Sequence, residues 1–115
     1  GGEIRKDGTA TTADYGTFSS SEVAGIAIDA DNFTISVYKG GSAIVNAYAL
    51  STTRTGFLFP MTTLLNNGDG VKVNFGSPPY SESGGNTDAN GYGNFNQSVP
   101  SGYFAINTKN LAEYG

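Results

Sequence analysis

Hydrophobic and polar positions alternate with period two in several short stretches of the chain. The clearest stretch sets Phe33, Ile35 and Val37 against Thr34, Ser36 and Tyr38, the spacing of a strand with one buried face. Just before it, within Glu22 to Asp29, the run Val23-Ala24-Gly25-Ile26-Ala27-Ile28 is nearly all apolar. An internal glycine in such a run suits a central strand buried on both faces better than a short helix. Asp29-Ala30-Asp31-Asn32 supplies a tight turn between the two, and Lys39-Gly40-Gly41 closes the second. A β-hairpin is therefore expected here.

The remaining pattern is of the same kind. Ala43, Ile44, Ala47 and Tyr48 have a faint helical spacing, but the segment to Leu50 is short and reads as strand plus loop. Gly56-Phe57-Leu58-Phe59-Pro60-Met61 reads as an apolar strand, with Pro60 confined to an edge or bulge because it lacks a donor. Asn66-Asn67-Gly68-Asp69-Gly70 turns the chain, and Val71, Val73 and Phe75 then alternate with Lys72 and Asn74 up to Gly76 and Pro78-Pro79. Residues 81–99 form a long Gly/Asn-rich loop, and Tyr103-Phe104-Ala105-Ile106 reads as a last short strand. Residues 1–14 suggest a loop or weak edge strand with a turn at Asp7-Gly8. No repeat and no sustained helical periodicity appears, so the pattern predicts one all-β domain over residues 1–115, an antiparallel β-sandwich.

Composition narrows the function classes. The 115 residues are 37% hydrophobic, 12% aromatic and 14% charged, enough apolar mass for a core and too little for a second one. A net charge of −4 with six scattered basic residues offers no patch to neutralise phosphates, which argues against nucleic acid and anionic membranes. The chain has no cysteine and no histidine, which removes thiol chemistry, the commonest general base and the commonest metal ligand. The one Ser-x-x-Lys spacing, Ser36 to Lys39, falls in the alternating strand, where residues three apart face opposite sides, so a non-catalytic module without a cofactor is expected. No apolar run reaches the roughly 20 residues of a membrane span, which predicts a soluble domain.

The long loop holds the candidate site. Tyr80, Tyr92 and Phe95 lie among Asn, Ser and Gly, including Asp88, Asn90 and Asn94. Rigid aromatics beside adaptable hydrogen bonders are the composition of ligand-contacting surfaces, while packing of the loop on its own domain accounts for it equally well. Asn86, Asp88 and Asn90 with Gly91 repeat the i, i+2, i+4 oxygens of a Ca²⁺ loop, yet no closing acidic ligand follows, and an Asx-rich turn is the weightier reading. Asp29 and Asp31 read as turn-capping residues before they read as a carboxylate pair.

Several of these elements, taken in order, resemble the C-terminal portion of a SPRY (B30.2-like) domain of the type found in bacteriophage structural and tail proteins. Val23 to Tyr38 resembles the family's paired strands around an Asp-x-Asp turn, and Phe57-Leu58-Phe59-Pro60 its aromatic-Pro strand. Val71-Lys72-Val73-Asn74-Phe75-Gly76 followed by Pro79-Tyr80 is the most specific match. Pro100-Ser101-Gly102-Tyr103-Phe104-Ala105-Ile106-Asn107-Thr108-Lys109-Asn110-Leu111 resembles the phage-type ending. The resemblance covers roughly residues 15–111 and implies a concanavalin-like sandwich in a virion protein of the tail, fibre, baseplate or surface. Partners would then be virion subunits, a host-surface protein or glycan, or further copies of the chain. The family's opening strands are missing before Glu3, so the sandwich is expected to be incomplete at its N-terminal side, the chain a fragment, and its apolar faces covered by other protein. The loop between Tyr80 and Pro100 is longer than the family's link. A carbohydrate-binding or adhesin-like sandwich of a bacterial or environmental protein is the alternative.

Overall fold

The structure is a computed structural model and describes residues 2–6, 8–10, 14–50 and 57–115. It is β-rich and antiparallel, with one short helix. Strands β1 (Arg5–Lys6) and β2 (Thr9–Ala10) form a minimal ribbon with Arg5 opposite Ala10, and Gly8 between them has φ of 81°. Strands β3 (Ala24–Asp29), β4 (Thr34–Lys39) and β5 (Ser42–Ala49) form a three-stranded sheet in that order, and helix α1 (Thr108–Tyr114) ends the chain.

The expected hairpin is present, in unbroken register from Ala24 opposite Lys39 to Asp29 opposite Thr34. Its turn is tied by Asp29, whose Oδ1 accepts from the Asp31 and Asn32 N–H groups at 3.1 and 2.9 Å and whose Oδ2 accepts from Asn32 Nδ2 at 2.7 Å. These bonds, led by the one from the Asn32 side chain, hold the Asp29 carboxyl below its usual pKa. Asp29 therefore caps a turn.

The position of β3 in the sheet differs from expectation. It is an edge strand with β4 in the centre, and Ile26 is 64% exposed. A continuous apolar run does not distinguish a strand with two covered faces from one whose second face lies open.

The third strand carries two bulges. Between the Ile35–Tyr48 and Val37–Val45 pairs, Asn46 and Ala47 stand opposite Ser36 alone, and Ile44 is an extra residue before Ala43 meets Tyr38. Ala47 has φ of 47°, and its N–H leaves the ladder and donates to the buried Ser36 hydroxyl at 2.9 Å. The bulges keep Val45 and Tyr48 on the face of Ile35 and Val37. The N-terminal segment lies over that face, leaving a cavity of about 430 Å³ lined in part by Ile4, Tyr15, Phe18, Val37 and Val45.

Three expected strands are not strands here. Residues 57–61, 71–75 and 103–106 are irregular, with Phe57 91% and Phe59 82% exposed and Val71, Val73, Phe75 and Ile106 open to solvent. Among the described residues no strand pairs with them, and alternation alone does not make them sheet. Gly56 lies outside the described residues. Among the described residues, the apolar ones buried in the interior are Ala27, Val45 and Ala105.

Helix α1 was not anticipated because seven residues are too few to display a period. Asn107, in extended backbone, caps it by accepting from the Asn110 N–H at 2.9 Å, and Gly115 closes it through a bond to the Leu111 carbonyl.

Candidate functional site

Asn, Asp and Gly between Asn74 and Asn110 organise the candidate loop by side-chain bonds to backbone, in place of an apolar core. Asn74 accepts from the Gly76 N–H at 2.7 Å and donates to the Asn94 carbonyl at 2.8 Å, while the Asn94 N–H donates to the Gly76 carbonyl at 2.9 Å. A paired bridge joins Asn86 and Phe95 at 2.9 and 3.1 Å, making residues 86–95 a small hairpin. Its ring-bearing end is tight. A Cβ on Gly93, at φ of 108°, would meet the Phe95 ring at 2.5 Å, and one on Gly76 would meet the Ala105 Cβ at 2.9 Å. Glycine is required at both.

Asp88 is the hub of this region and is buried. Its Oδ1 accepts from the Asn90 and Tyr92 N–H groups at 3.0 and 2.9 Å, and its Oδ2 from the Ala105 N–H at 2.9 Å and Asn110 Nδ2 at 2.7 Å. Asn110, also buried, donates in addition to the Ala105 carbonyl at 2.9 Å and accepts from Asn90 Nδ2 at 2.8 Å. Burial is the largest influence on Asp88 and pushes its carboxyl up. The bonds from Ala105, Asn110, Tyr92 and Asn90 together outweigh it and hold the pKa below the ordinary aspartate value of 3.8.

Tyr92 leaves this hub toward the helix. Its hydroxyl donates to Glu113 Oε2 at 2.6 Å, and Lys109 Nζ lies 5.5 Å from its ring centroid. The bond to the Glu113 carboxylate, with some burial, pushes the phenol up to about 12. Glu82 anchors the other side of the loop, accepting from Gly84 N–H at 3.1 Å and Asn96 Nδ2 at 3.2 Å, and its carbonyl accepts from Asn94 Nδ2.

The structure thus brings Asp88, Asn90 and Tyr92 together with Ala105, Asn110 and Glu113, with the Phe95 ring and Ala105 both against Gly76 and Asn94 bonded to Gly85 and Glu82. Tyr80 stands apart, its ring 5.1 Å from Lys72 Nζ. Asn86, Asp88 and Asn90 do not converge on a common point. Asn86 Nδ2 donates to the Gly84, Phe95 and Asn96 carbonyls, Asn90 to Asn110, and all four Asp88 bonds come from the protein. Among the described residues no group of three or more acidic residues is placed to hold a metal ion. Asn110 and Glu113 were missed as site residues because they lie some 20 positions from their partners.

A second concavity of about 490 Å³ opens beside the sheet, lined in part by Ser21, Glu22, Val23, Lys39, Asn96 and Gln97. Lys39 pairs with Glu22 at 3.0 Å, donates to the Thr17 carbonyl at 2.6 Å and lies 5.4 Å from the Phe18 ring. Gln97 Nε2 reaches across to the Val23 carbonyl at 2.9 Å, tying the end of the loop to the sheet.

Together these features define a β-rich module whose long loop is held in shape by polar clasps. No family model, curated protein or solved structure matches the chain.

Proposed function

We propose that this chain is a non-catalytic module of a tailed-phage virion protein, in a tail, fibre, baseplate or surface component, acting by packing against other subunits or by recognising a host surface. The observation that carries this reading is the stretch from Phe57 to Phe75, where Phe57, Leu58, Phe59, Met61, Leu64, Leu65, Val71, Val73 and Phe75 are all exposed. A solitary domain seldom presents so much apolar surface, whereas a subunit that completes its fold on assembly requires it.

In this reading the fold is a SPRY-like sandwich finished in the particle, with residues 57–61 and 71–75 becoming strands against neighbouring protein. The Val23–Tyr38 hairpin, formed where the resemblance expects it, supports the same view. Asp88, Asn90, Tyr92 and Asn94 then act as the frame that shapes the loop, and no cofactor has a part. The carbohydrate-binding alternative draws less support, because Tyr92 is engaged with Glu113 and Lys109 and the Phe95 ring is held against Gly93. No helix among the described residues is long and apolar enough to cross a membrane.

Antibodies raised against the folded chain test the proposal on tailed particles of the source that encodes it. Decoration of the tail, fibre, baseplate or capsid surface is the expected outcome. Antigen confined to the particle-free fraction of the lysate would overturn it.

A further inference from the structure

The two outer strands of the sheet differ in how they meet solvent. At β5 the edge is interrupted by the bulges at Ile44 and at Asn46-Ala47, and Lys6 Nζ reaches the Ala49 carbonyl at 3.3 Å. Bulges and lysines at a rim are the ordinary means of blocking further pairing. At β3 there is neither. Its six residues run in unshifted register, contain no lysine and no proline, and carry a single charge at the last position, Asp29. Among the described residues no strand pairs with its outer edge. Beside that edge Ile26 is 64% and Ile28 38% exposed, on the face they share with Val37 and Ile35.

We propose that two copies of this chain join edge to edge through β3, in antiparallel fashion about a two-fold axis at Ala27, to make one six-stranded sheet. Such an axis sets Ile26 of each copy opposite Ile28 of the other, and Gly25 opposite Asp29. Apolar residues then meet across the joint, and the two Asp29 carboxylates lie at opposite ends of it. A parallel joint in register would set the two carboxylates side by side. The strand is therefore complementary to itself in one direction only.

The exposed area leaves room for a second copy. The chain exposes 8511 Å², whereas a compact monomer of 11.9 kDa exposes roughly 6,000 Å². The excess, roughly 2,500 Å², is about three times the roughly 800 Å² that each partner contributes to a stable interface. A dimer fits within it and still leaves the Phe57–Phe75 surface for other subunits. The joint at β3 is separate from that surface, so this proposal and the virion reading can fail independently.

Sedimentation of the full chain from about 1 to 100 µM, the range in which interfaces of modest size associate, tests the joint. The expected result is a concentration-dependent species of twice 11.9 kDa. Ile26→Lys raises its dissociation constant by about tenfold or more, and Asn46→Lys on β5 leaves it unchanged. A single 11.9 kDa species throughout would overturn the proposal. So would an association that survives Ile26→Lys and is lost with Asn46→Lys. Amide exchange on the unmodified chain gives a reading that needs no variant. Exchange within β3 slows as concentration rises if the joint forms, and equal exchange at both ends of the range contradicts it.

Discussion

Asp88 illustrates how one residue can stand in for a core. Four donors from Asn90, Tyr92, Ala105 and Asn110 converge on its two oxygens, and bonds to an ionised acceptor are worth more than neutral ones. In Asp88→Asn one oxygen becomes an amide that faces two donors, and unfolding in urea should show a loss of about 2–3 kcal/mol. The acid limb of stability follows from the same bonds. The folded-state pKa of Asp88 lies below 3.8, so its contribution is complete above the unfolded value and disappears as pH falls through the folded one. Stability measured from pH 6 downward should drop below about pH 4, and the drop should be smaller in Asp88→Asn. The local half of this arrangement was legible in the sequence, since an Asx-rich turn over residues 86–91 is what Asp88 forms with Asn90 and Tyr92. The other half, Ala105 and Asn110, is brought in by tertiary structure, and no local spacing announces it.

The elements show a similar division. Asp29 to Asn32 carries its own turn chemistry, and the flanking residues alternate, so the β3–β4 hairpin could be read directly. Strand β5 could be read only in part. Its apparent helical spacing at Ala43, Ile44, Ala47 and Tyr48 reflects extra residues inserted at the bulges, which break the period of two without ending the strand. Residues 57–61, 71–75 and 103–106 alternate or cluster as strands do, but pairing needs a neighbour, and sequence pattern does not provide one. Helix α1 depends heavily on its cap, Asn107, because a seven-residue helix is too short to persist on propensity alone. Asn107→Ala should cost about 1 kcal/mol and loosen the bond between Tyr92 and Glu113. Thermal unfolding would register the first effect, and a fall in the Tyr92 phenol pKa from about 12 the second.

At the scale of the whole molecule, the interior is thin. Among the described residues only Ala27, Val45 and Ala105 are apolar and buried, and the radius of gyration of 14.9 Å exceeds the roughly 13 Å of a compact chain this long. Exposed apolar side chains therefore contribute little to the stability of the isolated chain. Phe59→Ser should leave its unfolding free energy within about 0.5 kcal/mol of the parent while reducing fluorescence of a hydrophobic dye. A larger loss would mean that Phe59 is already buried in solution. The placement of Asn110 also has a consequence for the order of events during synthesis. The hairpin of residues 86–95 is made first, and Asn110, whose side chain completes its hub, and Glu113, which receives Tyr92, follow some 20 positions behind their partners. The loop therefore stays unlatched during synthesis until residues 105–113 have been added and can fold back on it.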